Sequence, residues 1–307
     1  MTGATGFVGK KLCEILLKKN NDLVILSRKI PKNSGNSSIH YYQWDYKSDN
    51  FPEASLDGID SVIHLMGESV SSRWTEERKK EILLSRTLSS QKLIYHLKQS
   101  QLKSGTKIES FISTSAVGIY GDRGDDEIDE NSEAHDIKSK DFLAGICLEW
   151  EKSVLAATEV AKRVAIIRVG IVLGAGGGAL EKMLLPFKLN AGGILGSGKQ
   201  WMSWIHIQDL ATLYQSILLK PMMKGIYNGT SPNPVTNKQF TEILAKSLGR
   251  VAILPTPAFA LKLLFGEMSS ILLTGQRVFP RKALADGFTF QFPKLQEALQ
   301  QILKDEK

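Results

Sequence analysis

The chain has 307 residues, of which 42% are hydrophobic and 23% charged, a composition typical of a globular protein with a sizeable core. Its longest apolar stretches are interrupted before the roughly 18 residues that a membrane span needs, so we expect no membrane partner. The net charge of +7 arises from basic residues scattered along the chain. This pattern favours affinity for a phosphorylated small molecule over binding to nucleic acid.

The cysteines and histidines are not spaced for a metal or redox site. Cys13 and Cys147 lie far apart in apolar helical segments, which predicts two buried thiols and no disulfide. The five histidines form no pair at the spacing of metal ligands. The sequence therefore predicts no metal site.

A glycine-rich stretch, TGATGFVG at residues 2–9, opens the chain and precedes an amphipathic run. In a dinucleotide-binding turn Gly3 allows the tight bend, Gly6 lets the backbone approach a pyrophosphate, and Gly9 lets the helix pack closely on a strand. The helix that follows presents its amide groups to negative charge. This stretch therefore predicts a nucleotide diphosphate site.

The strand that normally precedes such a loop has about five residues, whereas only Met1 and Thr2 stand before Gly3. We therefore expect a truncated first strand: either the natural start lies upstream, or the central strand is lost. The location is taken as cytoplasmic by default, and as organellar if the natural start lies upstream.

Strands and helices alternate over the next part of the chain. Apolar runs predict strands at residues 23–26, 39–44, 61–65, 111–113 and 164–169, and helical spacing predicts helices at 75–101 and 141–158. This alternation predicts an α/β fold with a Rossmann-type, doubly wound parallel sheet.

The domain organisation follows from where this pattern loosens. Residues 1–173 are predicted to form a nucleotide-binding domain to which segments around 201–230 return. Residues 174–307 are predicted to form a smaller substrate-side lobe, with a C-terminal domain at 250–300 and an amphipathic helix over 258–273.

The end of the strand predicted at residues 23–26 indicates which dinucleotide is bound. An NAD site carries an acidic residue there for the ribose hydroxyls, whereas this chain has Ser27 and Arg28. A guanidinium suits a 2′-phosphate, which favours NADP(H). The alternative is an ordinary exposed arginine at a strand end. A second glycine-rich match at 193–199 continues with Gln200 instead of a hydroxyl residue, so we do not interpret it as a phosphate-binding loop.

Taken together, the motifs resemble those of the extended short-chain dehydrogenase/reductase superfamily. The chain is similar to its atypical branch of NAD-dependent epimerase/dehydratase-like proteins, also labelled SulA-like cell-division inhibitors. The matching segments include TGATGFVG at 2–9, SRK at 27–29, HLMGE at 64–68, STSAVGIYG at 113–121, RVGIVLGAGGGAL at 168–180, YNGTSP at 227–232 and GQRVFP at 275–280. Nothing in these residues supports a role in cell division.

The resemblance implies a set of NADP(H) contacts at matching positions. Those near the phosphates and ribose are Gly3, Thr5, Gly6, Phe7, Val8, Gly9, Ser27, Arg28, Leu65, Met66 and Gly67. The long helix would add Glu81 and Arg86, and Val172 would lie near the nicotinamide. For Leu65 and Met66, at the end of the strand predicted at residues 61–65, simple core packing is the alternative.

The catalytic residues of the superfamily are only partly present. Active members pair a serine or threonine with Tyr-x-x-x-Lys, and Ser115 matches the serine, but none of the seven tyrosines is followed by lysine at the fourth position. The register of the matching helix places Leu143 and Cys147 at these two positions. Tyr120 is the nearest phenol that could replace the tyrosine, with packing at the mouth of the site as the alternative.

Weaker candidates for proton transfer are Lys140 and Asp141, together with His206 in the predicted second lobe. Asp209, which follows His206, is predicted to cap the next helix.

Two functions remain open from the sequence. One is an NADP(H)-dependent oxidoreductase or epimerase-like enzyme that acts on an unidentified small molecule with an unusual proton donor. The other is a catalytically silent NADP(H)-binding sensor or interaction protein. The oligomeric state cannot be predicted from the residues.

Overall fold

The computed structural model describes residues 1–31, 36–134, 141–189, 191–252 and 255–305. The described strands are β1 Leu23–Ser27, β2 Ile39–Gln43, β3 Ser61–His64, β4 Ile108–Ala116, β5 Glu127–Ile128, β6 Ala161–Val169, β7 Ile171–Leu173, β8 Trp201–Met202, β9 Trp204–His206, β10 Gly225–Gly229, β11 Val235–Thr236 and β12 Arg277–Val278.

The described helices are α1 Phe7–Leu17, α2 Glu76–Ser104, α3 Phe142–Leu155, α4 Gly178–Lys188, α5 Ile207–Leu219, α6 Asn237–Ser247, α7 Ala258–Phe265, α8 Ser270–Leu273, α9 Arg281–Ala285 and α10 Leu295–Asp305. The predicted strands and the two predicted long helices are present, with ends that differ by a few residues, most clearly in β4, which begins three residues earlier than expected.

The central sheet is parallel throughout its paired strands. β10, β6, β4 and β3 lie side by side in that order, and β1 pairs with β2 at the other end of the sheet. The backbone of Thr2 lies between the two sets: its N–H donates to Ile63 and its carbonyl accepts from Leu65, while Met1 O accepts from Leu26. The place of the expected first strand is thus taken by residues 1–2, and the sheet order runs β2-β1-(1–2)-β3-β4-β6-β10.

Consecutive strand residues point to opposite faces of the sheet, and here both sets are apolar. Both faces must therefore be buried, and helices cover them. Ile63 and Ile112 belong to the core beneath α1 and α5, whereas their neighbours Val62 and Phe111 belong to the core beneath α2 and α3. The structure therefore confirms the predicted Rossmann-type fold with a doubly wound parallel sheet.

A second region with its own apolar core follows β7. Leu184, Trp204, Leu244 and Leu299 are buried there, contributed by α4, β9, α6 and α10. Short strand pairs, β7 with β9 and β8 with β11, frame this region, whereas β10 in the intervening chain returns to the main sheet beside β6.

The helix predicted over residues 258–273 is broken in the structure. α7 ends at Phe265, and Gly266 adopts a φ of +58°, a left-handed conformation that an α-helix cannot continue through. A short 3-10 turn and α8 follow. Among the described residues, no helix is both long and apolar enough to cross a membrane.

Candidate functional site

The glycine loop at the carboxyl edge of the sheet is built by close backbone contacts. Gly3 has a φ of +67°, and a Cβ there would lie 2.8 Å from the backbone of Leu65, which follows β3. A Cβ on Gly9 would lie 2.6 Å from the Cα of Ala4 and would collide with the Gly3 carbonyl. Side chains are therefore excluded at both positions, and the loop lies directly against the neighbouring strand end.

The N-terminus of α1 faces outward from this loop with its amide groups available. Gly6 occupies the N-cap position in an extended conformation, and no described side chain caps the helix. Thr5 and Gly6 are exposed, whereas Val8 packs against the core. An exposed helix N-terminus without a side-chain cap suits a diphosphate, because its unpaired N–H groups favour negative charge.

Phe7 connects the glycine loop to the segment after β7. A Cβ built at Gly174, Gly177 or Gly178 would lie 2.9, 2.6 or 2.7 Å from the Phe7 ring. Val172 precedes this segment, and its carbonyl lies 3.1 Å from the Cβ position of Gly178. The three glycines thus form a socket for the ring, and they bring Val172 toward the glycine loop.

The end of β1 carries an exposed arginine held by one carboxylate. Arg28 Nη1 donates to Glu68 Oε1 at 3.1 Å, with its side chain 60% exposed. Ser27 Oγ donates to the carbonyl of Lys29 in the same turn. The predicted phosphate-binding arginine therefore lies at the strand end, free to reorient apart from one ion pair.

A network of charged side chains extends from this arginine onto α2. Glu68 Oε2 lies 3.5 Å from Arg78, which also donates to Glu81 Oε2 at 2.7 Å, and Glu81 accepts from Lys47 at 3.0 Å. The bonds from Lys47 and Arg78 lower the pKa of Glu81. The structure thus places Glu81 in an ion-pair network with Lys47 and Arg78 at the start of α2.

Arg86 lies on another face of α2, against the chain that follows β3. Its guanidinium stacks 5.0 Å from the Trp150 ring and contacts Gly67, whose Cβ position is 3.1 Å from Arg86 Cζ. Nη1 donates to the carbonyl of Ile82, and no described carboxylate bonds to this guanidinium. Burial lowers the pKa of Arg86. A half-buried guanidinium without a bonded anion among the described residues fits the position predicted for a cofactor contact.

Leu65 and Met66, the other predicted contacts after β3, are both half-buried. Leu65 packs with the core beneath α1 and Met66 with the core beneath α2. Core packing therefore accounts for both side chains, while their backbone remains beside the glycine loop through the Leu65–Gly3 contact.

Ser115 differs from the hydroxyls on either side of it at the end of β4. Ser113 Oγ donates to a backbone carbonyl, and Thr114 Oγ1 lies 2.6 Å from the Tyr214 hydroxyl. Ser115 is 1% exposed, and its Oγ has no hydrogen-bond partner within the described part of the chain. A buried hydroxyl is costly to leave unpaired, so Ser115 marks a place where a ligand atom could complete its bonding.

The helix face opposite Ser115 carries the two residues that replace the superfamily's tyrosine and lysine. Leu143 Cβ lies 3.6 Å from the Cβ position of Gly118, just after β4. Cys147 is buried in the core shared by α3 and the turn after β4. Burial raises the pKa of the Cys147 thiol to about 12. Neither side chain supplies an acid near neutral pH.

Tyr120 is fully buried and bonded to structural partners. Its hydroxyl donates to Asn228 Oδ1 at 2.8 Å and accepts from Arg168 Nη1 at 2.9 Å. Arg168 also binds both carboxylate oxygens of Glu151, at 2.9 and 2.8 Å. Burial raises the pKa of Tyr120. The phenol predicted as a proton donor is therefore engaged in a buried network that joins β6, α3 and β10, as in the packing alternative.

The remaining candidates for proton transfer also have structural positions. His206 caps α5: its Nδ1 accepts from Gln208 N at 3.1 Å, and its Nε2 lies 2.9 Å from Gln301 Oε1. Burial lowers the pKa of His206 to about 4. The prediction that Asp209 caps this helix is wrong, because its carboxylate accepts from the backbone N–H groups of residues 291 and 292.

Asp141 caps α3 by accepting from Leu143 N and Ala144 N, and Lys140 lies outside the described residues.

Three features of the site were not recognised from the sequence. The glycines around Phe7 lie where the alternation of strands and helices loosens, so spacing alone does not show that they pack against a ring. The pairing of Arg78 with Glu68 is hidden because Arg78 lies in a basic run typical of a solvated helix face. Glu68 belongs to the recognised motif HLMGE but was given no role. A carboxylate four residues after the end of β3, on the same edge of the sheet as an arginine that follows β1, is the signal that could have identified it.

Comparisons with known proteins agree with this architecture. Residues 1–228 match the NAD dependent epimerase/dehydratase family, and residues 256–302 match a domain of unknown function, DUF1731. "Epimerase family protein YfhF" of Bacillus subtilis (strain 168) is 38% identical over 307 residues, covering 100% of this chain and 98% of the relative. "Epimerase family protein SDR39U1 homolog, chloroplastic" of Arabidopsis thaliana is also 38% identical, covering 99% of this chain and 86% of the relative.

A solved structure resembles the chain over nearly its whole length. The crystal structure of human epimerase family protein SDR39U1 (isoform 2) with NADPH has a TM-score of 0.84 and 31% identity, covering 99% of this chain and 98% of that one. The fold, the sequence match and the position of the glycine loop at the carboxyl edge of the sheet lead to one conclusion. The chain belongs to the NAD-dependent epimerase/dehydratase family.

Proposed function

We propose that this chain binds NADP(H) along the carboxyl ends of its parallel strands and acts as an oxidoreductase on a small molecule. The observation that carries the proposal is the glycine loop, closed against Leu65 by Gly3 and against itself by Gly9, with an uncapped helix N-terminus behind it. The human relative crystallised with NADPH supports the choice of cofactor.

Residues along the carboxyl edge of the sheet are assigned one after another to the parts of the dinucleotide. The glycine loop and the N-terminus of α1 hold the diphosphate, and Arg28 binds the 2′-phosphate. Gly67 gives access to Arg86, which lacks a bonded anion among the described residues. Val172, whose carbonyl lies beside Gly178 in the glycine segment around Phe7, would contact the nicotinamide. The bound nicotinamide would supply or accept the hydride.

Ser115 is the side chain that we assign to the substrate. Its Oγ is buried and unpaired, so an oxygen of the substrate can bond to it without displacing a protein partner. This hydroxyl would orient the substrate oxygen and stabilise charge that develops there. Tyr120 has no part in the proposal, since both of its bonds are to buried protein groups.

Cofactor binding is tested by thermal unfolding with NADPH and NADH at equal concentrations. A ligand that binds only the folded state raises the melting temperature, so NADPH should raise it more than NADH. Arg28→Ala should remove this difference, whereas Lys18→Ala, which removes a positive charge from an exposed position at the end of α1, should preserve it. Equal shifts with the unaltered protein would contradict the NADP(H) preference, and no shift would contradict cofactor binding.

Hydride transfer is tested by following nicotinamide absorbance during incubation with NADPH and a panel of carbonyl compounds. Ser115→Ala should lower any turnover about 100-fold while leaving NADPH binding unchanged, as expected for loss of one stabilising donor. Unchanged turnover in this variant would contradict the assigned role of Ser115.

A catalytically silent NADP(H)-binding protein is the second candidate. It is favoured by the apolar Leu143 and the high pKa of the Cys147 thiol at the positions of the missing tyrosine and lysine. This candidate predicts a melting-temperature shift with NADPH but no oxidation of the nicotinamide with any member of the carbonyl panel.

A further inference from the structure

The carboxylate of Glu68 is bonded to two arginines that differ in how firmly they are held. Arg78 is 22% exposed and donates to Glu81, to the carbonyl of Ser69 at 2.7 Å and to Ser72 Oγ at 3.1 Å. Arg28 is 60% exposed, and its guanidinium bonds to Glu68 alone among the described residues. Arg78 is thus anchored, whereas Arg28 can reorient.

Glu68 itself is held in place from two sides. Its backbone N–H donates to Ser85 Oγ at 2.9 Å, and that hydroxyl donates in turn to the carbonyl of Ile82 within α2. Its side chain, 22% exposed, remains beside the anchored Arg78. If the ion pair between Arg28 and Glu68 breaks, Arg28 is therefore the side chain that moves, and Glu68 stays in place against α2.

We propose that Glu68 competes with the 2′-phosphate of the cofactor for Arg28, and thereby sets how strongly the chain prefers NADP(H) to NAD(H). A phosphate bound by Arg28 must displace or share the bond that Arg28 donates to Glu68, so the carboxylate and the phosphate compete for one guanidinium. NAD(H) lacks this phosphate, so its binding does not involve the competition. Glu68 thus weakens the binding of NADP(H) selectively. This inference rests on the proposed NADP(H) site.

The test compares affinities for NADPH and NADH by isothermal titration calorimetry. Glu68→Gln keeps the shape of the side chain and removes its charge, so the ratio of the NADPH to the NADH affinity should rise about three- to tenfold, the range expected for a partly exposed charge. Glu76→Gln removes one charge from the first turn of α2, where Glu76 is 89% exposed beside Lys79, and should leave the ratio unchanged.

A double variant shows whether the effect passes through Arg28. In an Arg28→Ala background, Glu68→Gln should change the affinity ratio by less than about twofold, since the group competed for is gone. 2′,5′-ADP and 5′-AMP serve as probes that differ only in the phosphate, and their affinity ratio should follow that of the full cofactors.

The outcomes separate this inference from the proposed function. If neither cofactor binds the unaltered protein, the proposed NADP(H) site is wrong. If NADPH binds but Glu68→Gln leaves the ratio unchanged, competition by Glu68 is overturned. A fall in NADH affinity in this variant, with the ratio rising for that reason alone, would also overturn it, because Glu68 would then bind the ribose hydroxyls.

Discussion

Two regions at the carboxyl edge of the sheet, one around the glycine loop and one around Ser115, differ in how many of their polar groups lack a bonded partner. In the glycine-loop region, the helix N-terminus is uncapped, Arg28 has a single exposed ion pair, and Arg86 has no bonded carboxylate among the described residues. In the Ser115 region, Tyr120 and Arg168 are bonded to each other and to buried partners. Among the described residues of this region, Ser115 has the one hydroxyl without a partner.

This difference separates binding from chemistry within one fold. The hydrogen-bond donors around the glycine loop can still bind a negatively charged ligand, as expected of a binding site. Most polar groups in the Ser115 region bond to one another and hold α3, β6 and β10 together. The proposed chemistry therefore depends on few residues, whereas the proposed cofactor site depends on many.

The largest effect is expected at the Arg168–Glu151 pair. Burial alone would lower the pKa of Arg168, but the bonds to Glu151 and Tyr120 raise it above the usual range for arginine. Arg168→Met leaves the Glu151 carboxylate, 12% exposed, without its partner and should destabilise the fold by about 4 kcal/mol in urea unfolding. Lys162→Met, in an exposed ion pair with Glu109, should cost under about 1 kcal/mol.

The same pair distinguishes a structural network from a binding site. Combining Arg168→Met with Glu151→Gln should recover part of the lost stability, because no unpaired carboxylate remains. A loss of NADPH affinity in folded Arg168→Met protein without a loss of stability would show that the network belongs to the binding site and is not purely structural.

Gly9→Ala tests the glycine-loop region. The added Cβ would meet Ala4 Cα at 2.6 Å and force the glycine loop to open, so NADPH affinity should fall at least about 100-fold, equivalent to about 3 kcal/mol. Gly145→Ala, in α3 with no atom within 4 Å of its Cβ position, should raise stability by about 0.5 to 1 kcal/mol. Calorimetric titration and urea unfolding measure both; similar NADPH affinities for the two variants would refute the loop geometry.

His206 should make stability fall on acidification. Its folded pKa of about 4 lies below the unfolded value of about 6.5, so the unfolded chain takes up a proton that the folded chain does not. Its share of stability is complete above about pH 7 and declines as pH falls toward 4, by about 2 kcal/mol at pH 5. Lys11 adds to the lowering of this pKa, and the bond to Gln301 and the charge of Asp305 oppose it.

Urea unfolding at pH 7 and pH 5 measures this dependence. His206→Asn keeps a helix-capping side chain and should reduce the loss between the two pH values. His40→Asn, at an exposed position of β2, is the control and should behave as the unaltered protein does. An unchanged loss in His206→Asn would show that other groups cause it.

The smallest effects separate the two hydroxyls near the end of β4. Tyr120→Phe removes a phenol bonded to Asn228 and Arg168 and should cost about 1 to 2 kcal/mol without changing turnover. Ser115→Ala removes a hydroxyl that has no described partner, so it should leave stability nearly unchanged or slightly raised. Unfolding and turnover measured together decide the matter: lost turnover in Tyr120→Phe at full stability would restore the phenol as a proton donor.

Much of the geometry of the proposed cofactor site was predictable because it depends on local backbone requirements. Gly3 and Gly9 are needed where the chain turns and contacts itself within a few residues, and the apolar runs that form β1 and β3 determine that Arg28 and Gly67 follow strand ends. Such relations are visible in spacing and residue type. The position of Leu143 and Cys147 opposite the end of β4 was likewise predicted from helix register.

The sequence by itself determined the Rossmann-type fold and the glycine loop, since hydrophobic periodicity and glycine spacing are properties of short segments. Only the tertiary structure decided which polar side chains are free. Tyr120 is bonded to groups 48 and 108 residues away, and Ser115 has no bonded partner among the described residues. Glu68 lies between the arginine that follows β1 and an arginine on α2. Hydrogen bonds and ion pairs between distant segments depend on how the elements pack, which residue type and spacing do not specify.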